Sequence, residues 1–239
     1  MFDFWKMYRG SGFHHEDDMS NIENVDWKVH EDDNHRFAFH KNLLPVPYVG
    51  NPTKANILIL MLNPGYSPTL SYPEESSDNK MVHMLKKNLQ NEVDICWWLS
   101  EEWKDSGAGL YWRKAFGKIA NELKKINGYS SLEESFSLLS QNIAIIQLVS
   151  YHSQKMKMTK YVRNLKSSSI IREYVHEIKK SSKLLVVRRG RKEYGLEEAE
   201  NIVTDGHPIS PVFNNSEPKR IIERLTPLPC RGGTPLDRV

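Results

Sequence analysis

Ala55-Asn56-Ile57-Leu58-Ile59-Leu60-Met61-Leu62-Asn63-Pro64-Gly65 is the stretch whose reading decides the fold. Its first eight residues form an apolar run with Asn56 as the one polar member. Turn formers bound it on both sides: Pro45, Pro47, Gly50 and Pro52 before, and Asn63-Pro64-Gly65 after. A short continuous apolar run bounded in this way reads as a strand covered on both faces, as in a parallel sheet. Working outward, Asn142-Ile143-Ala144-Ile145-Ile146-Gln147-Leu148-Val149 has the same character, Leu184-Leu185-Val186-Val187 is a third strand, and Ile202-Val203 a fourth. Between them, apolar residues recur at helical spacing and predict helices over 80–99, 110–126, 131–140, 168–180 and 191–199. Ser131 with Glu134 forms a capping-box pattern, and Ser216 followed by Pro218 opens a last helix over 216–225. Strands alternating with helices predict the α/β class: a central, mostly parallel four-stranded sheet flanked by helices on both faces. Functional loops are then expected at the carboxyl ends of the strands.

One such domain occupies 43–226, with an acidic, histidine-rich extension over 1–42 and a Pro-, Gly- and Arg-rich tail over 227–239. The extension carries His14, His15, Glu16, Asp17, Asp18, Glu31, Asp32, Asp33 and His35, all metal-binding types, but their spacing fits no compact ligand set. A solvated extension is expected there, with no metal. The two cysteines, Cys96 and Cys230, fit neither a disulfide framework nor a zinc or iron–sulfur motif. No apolar run has the length of a signal peptide core or a membrane span. The expectation is a cytoplasmic monomer with no membrane partner and no cofactor.

Net charge is only +3, but its distribution is uneven. Residues 1–110 carry 10 Lys and Arg against 17 Asp and Glu, and residues 111–239 carry 23 against 13. The stretch 155–192 is densest, with thirteen basic side chains, Lys155, Lys157, Arg188 and Arg189 among them, against Glu173 and Glu177. A phosphate backbone is the natural partner of such a stretch, and a solvated helix face is the plainer alternative.

Three polar elements follow the predicted strands: Asn63-Pro64-Gly65-Tyr66, then Gln147 with Ser150-Tyr151-His152, then His207-Pro208-Ile209-Ser210-Pro211-Val212-Phe213. In these elements the chain resembles the uracil-DNA glycosylase superfamily. Asn63-Pro64-Gly65 matches the last three places of that family's Gly-x-Asn-Pro-Gly motif, with Met61 in place of the glycine. His207-Pro208-Ile209-Ser210-Pro211 is similar to its His-Pro-Ser-Pro motif, with Ile209 inserted, and Gln147 occupies the place of the amide that reads the base. The resemblance implies a metal-independent, monofunctional DNA glycosylase that flips a pyrimidine nucleotide out of DNA and hydrolyses its N-glycosidic bond. Asn63 and His207 are then the catalytic residues, the amide orienting water and the imidazole donating to the departing base. Gly65, Tyr66, Tyr72, Gln147, Tyr151 and Ser210 would bind the substrate, with Tyr66 or Tyr72 stacking on the extruded base. Val212 or Phe213 would be the wedge that fills the gap it leaves. Lys155, Lys157, Arg188 and Arg189 would hold phosphates.

In the most uracil-specific branch a Tyr at the position of Gly65 excludes C5 substituents. The glycine here admits a C5-modified pyrimidine, such as the glucosylated hydroxymethylcytosine that phage-defence members of the family excise. Uracil or a mismatched pyrimidine is the alternative substrate. Two other functions stay open: a catalytically inactive nucleic-acid-binding module of the same fold, and a hydrolase of free nucleosides or nucleotides.

Overall fold

The computed structural model describes residues 1–8, 14–30, 37–40, 43–66, 80–204, 212–213 and 216–226, with the backbone alone over 25–30. Five strands form one sheet: β1 (Tyr48–Val49), β2 (Ile57–Met61), β3 (Ile143–Gln147), β4 (Leu184–Val187) and β5 (Ile202–Thr204), in the order β1-β3-β2-β4-β5. The four strands expected from sequence are all parallel, with β2 lying between β3 and β4. The fifth, β1, pairs antiparallel with β3 through Tyr48↔Ile146 and Val49↔Ile145. It falls in the turn-rich lead-in to β2, and two residues are too short for any periodicity to mark them. By pairing with β3 it removes an open sheet edge.

The described helices are α1 (Phe2–Lys6), α2 (Met19–His30), α3 (Lys80–Leu89), α4 (Gly107–Asn127), α5 (Leu132–Asn142), α6 (Lys160–Arg163), α7 (Lys166–Ile178), α8 (Arg191–Tyr194) and α9 (Ser216–Leu225). Local signals explain several of their ends. Ser106 caps α4 by accepting the Gly109 N–H, and Gly128 ends it in the left-handed conformation at φ 65°. The Ser131 and Glu134 capping box opens α5 as the sequence implies. Two helices are shorter than expected. α3 stops at Leu89 because Asn91 adopts φ 58°, and short helical turns at Trp97–Leu99 and Glu101–Trp103 follow. α8 stops at Tyr194 because Gly195 is left-handed.

The strands alternate their side chains between two cores, which makes the fold three-layered. Ile57, Ile59 and Met61 of β2, with Ile145 and Val186 beside them, face α3, α4, α5 and α9 through residues such as Leu85, Phe116, Leu139 and Ile221. Leu58 and Leu60, with Ile146, Leu185 and Val187, face α1, α2, α6, α7 and α8.

The second core corrects the expectation for the first 42 residues. Trp5 is fully buried, Phe4 and Ile22 pack with it, and His15 and Asp18 are inside as well. The described residues 1–8 and 14–24 are packed onto the domain and are not a solvated extension. An apolar face needs a partner, and without α1 the side of the sheet that carries Leu58 would be less covered. Trp5→Ala should therefore lower the unfolding free energy by about 3–5 kcal/mol in a denaturant titration. A segment outside the cooperative unit would leave the midpoint where it was.

Candidate functional site

The strand order places a switch point at the centre of the sheet. From β2 the chain crosses to β3 on one side, then back over β2 to β4 on the other. Ligand sites of open α/β sheets form in the crevice at the carboxyl edge of such a point. In this protein that edge is made by residues 62–66 after β2, 148–153 after β3 and 188–190 after β4.

The exits of β2 and β3 stay paired beyond the strands. Leu148 N–H donates to Met61 O (3.1 Å) and Val149 N–H to Leu62 O (2.8 Å). Tyr194 lies beneath and donates its hydroxyl hydrogen toward Met61 O (2.8 Å), with Ile146 O at 3.2 Å. Its complete burial raises its pKa well above the ordinary tyrosine value, so it remains a donor. Gly190 turns the β4 exit at φ 81°, where a Cβ would stand 3.1 Å from Leu62 Cδ1. The three exits are packed to backbone distance.

Asn63 is held by its amide nitrogen. Nδ2 lies 2.8 Å from Pro64 O, 3.2 Å from Ser153 O and 3.0 Å from Ser153 Oγ. The two carbonyls can only accept, so the amide orientation is set by chemistry, and Oδ1 is the end that points away from these contacts. Ser153 is itself buried, and its hydroxyl donates to Lys155 O (2.9 Å). Next to it, His152 Nδ1 stands 2.9 Å from Gly65 O, which makes Nδ1 the protonated ring nitrogen. Neither Ser153 nor His152 was among the residues chosen from sequence. His152 lay in a quoted polar element, while Ser153 carries no local signal.

Gln147 ends β3 in register with Met61, two residues before Asn63. It is 3% exposed, and its Oε1 has no hydrogen-bond partner among the described residues. Ser150 Oγ, also buried, has none either. Buried polar atoms cost about 1–3 kcal/mol each when left without partners, and these two lie three residues apart along one strand exit.

Gly65 is exposed, and a Cβ built on it meets nothing within 4 Å among the described residues. Tyr66 is half-buried with one ring face stacked on His40 at 3.3 Å between centroids. Lys155, Lys157 and Arg189 are exposed, and Val212 is half-buried.

Three assignments made from sequence are corrected. Tyr151 is 2% exposed and its hydroxyl donates to Asp18 Oδ2 (2.7 Å), so it holds the fold together and does not face a ligand. Phe213 is 1% exposed, packed on Phe116 with 4.8 Å between ring centroids, and cannot act as a surface wedge in this conformation. Arg188 is 3% exposed, with its guanidinium 4.3 Å from the centre of the Phe213 ring, where it stabilises the core by cation–π stacking and does not meet phosphate. Phe213 also lines a cleft of about 360 Å³ between α4 and α9, with Lys118, Glu122, Pro218 and Ile222.

His207, Ser210 and Tyr72 lie outside the described residues. The residues flanking the His207 element are described: β5 runs parallel to β4 and ends with Thr204 at the carboxyl edge, and Phe213 is seated on Arg188 at the end of β4. Among the described residues no group of three or more His, Cys, Asp or Glu could hold a metal ion, and no helix is long and apolar enough to cross a membrane.

The three acceptors around Nδ2 make position 63 a place for an amide. In Asn63→Asp a carboxylate oxygen would face them, so its folded pKa should rise above the unfolded value of about 3.9. The stability lost relative to wild type should then be small at pH 4 and grow to about 1–3 kcal/mol as pH rises to 7.5, read from paired denaturant titrations. Comparison with protein-family models, curated proteins and solved structures finds no match to this chain.

Proposed function

We propose that the protein is a monofunctional DNA glycosylase that accepts an extruded pyrimidine nucleotide at the carboxyl edge of the sheet and hydrolyses its N-glycosidic bond. One observation carries this reading: Asn63, with its amide nitrogen tied back, stands two residues beyond the backbone partner of Gln147, whose buried Oε1 has no hydrogen-bond partner among the described residues. Asn63 Oδ1 accepts a hydrogen bond from a water and aims it at the sugar carbon, and the Gln147 amide pairs with the edge of the base. His207, on the element that leaves β5, donates to the base as negative charge develops on it. Lys155, Lys157 and Arg189 supply exposed positive charge for the phosphates.

The absence of a neighbour to a Cβ at Gly65 among the described residues supports a pyrimidine with a substituent at C5 as the substrate, the glucosylated hydroxymethylcytosine of phage DNA being the bulkiest candidate. Uracil and mismatched pyrimidines are the smaller alternatives. A second reading, hydrolysis of a free nucleoside or nucleotide at the same edge, is favoured by the burial of Phe213 and Arg188, which removes two groups expected to meet duplex DNA.

Oligonucleotides carrying uracil, hydroxymethylcytosine or glucosylated hydroxymethylcytosine, treated with the protein and then with hot alkali, separate these readings. Cleavage at the modified base, reduced at least about 100-fold in Asn63→Ala with DNA affinity retained, is the expected result. Base release from free nucleosides, independent of salt, would favour the second reading, and salt-sensitive binding without abasic sites would favour an inactive module. Gly65→Tyr should depress excision of the C5-substituted base by at least about 10-fold relative to uracil.

A further inference from the structure

We propose that Asp18 is a positioning residue of the site: its buried carboxylate fixes Tyr151, and through Tyr151 the segment that grips Asn63 and Gly65. The chemical consequence rests on the glycosylase reading, whereas the positioning itself can be tested without it.

Asp18 is fully buried in the short helical turn Glu16–Asp18. A carboxylate so placed persists only where donors replace its water. Two do. Tyr151 donates its hydroxyl hydrogen to Oδ2 (2.7 Å), and the Ser167 N–H donates to Oδ1 (3.2 Å). Ser167 stands in the first turn of α7, whose own N-cap, Leu165, offers no side-chain acceptor. Asp18 supplies that acceptor from a distant part of the chain, together with negative charge at the positive end of a thirteen-residue helix.

Tyr151 is fixed from a second direction, because the His15 N–H donates to its hydroxyl oxygen (3.3 Å). Burial, and then the nearby Asp18 charge, raises its pKa well above the ordinary value, so the hydroxyl keeps its proton. The next two residues are the ones that meet the β2 exit: His152 on Gly65 O and Ser153 on the Asn63 amide. The connection from the N-terminal carboxylate to the proposed water-positioning amide is thus Asp18, Tyr151, Ser153, Asn63. Only hydrogen bonds and two peptide units intervene. Productive geometry at a reacting centre is lost with displacements of about 1 Å. Slack in Tyr151 therefore reaches the chemistry through Ser153, whose side chain and carbonyl both hold the Asn63 amide.

The test uses the full chain with Asp18→Ala, Asp18→Asn, Tyr151→Phe and the double variant Asp18→Ala/Tyr151→Phe, each shown to be folded by a cooperative thermal melt. Two quantities are measured: the single-turnover excision rate at saturating protein on the oligonucleotide that wild type cleaves, and the side-chain amide resonances of Asn63 in ¹⁵N-labelled protein. Asp18→Ala and Tyr151→Phe should each slow excision about 10-fold or more, with DNA affinity within about two-fold of wild type. Asp18→Asn, which keeps an acceptor for Tyr151, should recover part of the rate. The double variant should be about as slow as the slower single, because both changes cut the same connection. The Asn63 amide resonances should move in Tyr151→Phe.

Folded variants with wild-type excision rates and unmoved Asn63 resonances would overturn the proposal, as would a loss confined to DNA affinity. If wild type excises no base, the glycosylase reading fails by itself, and the Asn63 resonances alone decide whether Asp18 positions the amide. If Asp18→Ala does not fold, Tyr151→Phe carries the same test, since it deletes one hydroxyl and leaves the core volume almost unchanged.

Discussion

The parallel pairing of β2 with β3, carried past the ends of both strands, is the constraint on which the rest of the structure depends. Within the sheet it aligns Ile57 with Ile143 and Met61 with Gln147. Beyond the sheet, the same partnership continues through Leu148 and Val149 to the carbonyls of Met61 and Leu62. Strand exits usually diverge into loops that evolve and move independently. Here the Tyr194 hydroxyl below, and the Ser153 and His152 contacts above, keep the two exits together as one unit. Asn63 is placed by this unit together with the carbonyl of Pro64 in its own loop, which gives a polar side chain a fixed orientation.

The same arrangement explains the polar interior on the side of the sheet that carries Leu58. A buried carboxylate, a buried tyrosine hydroxyl and the bare N-terminus of α7 are each unfavourable alone. Brought together they satisfy one another: Asp18 accepts from both Tyr151 and Ser167. The N-terminal segment is thereby tied to β3 and α7 by directional bonds as well as by the apolar packing of Phe4, Trp5 and Ile22. Asn21 adds a further tie, donating to Asn164 O at the end of α6.

The charge asymmetry of the chain takes on a different meaning in three dimensions. The acidic first part is not simply a solvated polyanion, because one of its carboxylates, Asp18, is buried and accepts from Tyr151 and Ser167. The basic stretch is in turn not all surface. Arg188 is spent on the Phe213 ring, and Arg172 is partly buried, donating to Arg163 O and Ser169 Oγ. The exposed subset, including Lys155 and Lys157, is smaller than the composition suggests.

The sequence by itself determined the α/β class, the four parallel strands with their order of appearance, the helices between them and the edge at which polar residues gather. These are local properties: an apolar run, a 3.6-residue period, a serine ahead of a glutamate, or a glycine at a turn acts over a few residues. The places of Asn63, Gln147 and Gly65 at the carboxyl edge were legible for the same reason, since Gln147 ends one strand and Asn63 and Gly65 come shortly after another. Only the tertiary structure decided that Tyr151 and Phe213 point into cores, that Arg188 stacks on an aromatic ring, that the N-terminal segment is a packed layer, and that Ser153 holds Asn63. Each depends on a pair of residues far apart in the chain, 18 with 151, 63 with 153, 188 with 213. No periodicity encodes such a pair, because an aromatic or charged side chain has the same local pattern whether it meets water or a partner, and burial is settled only when the layers close.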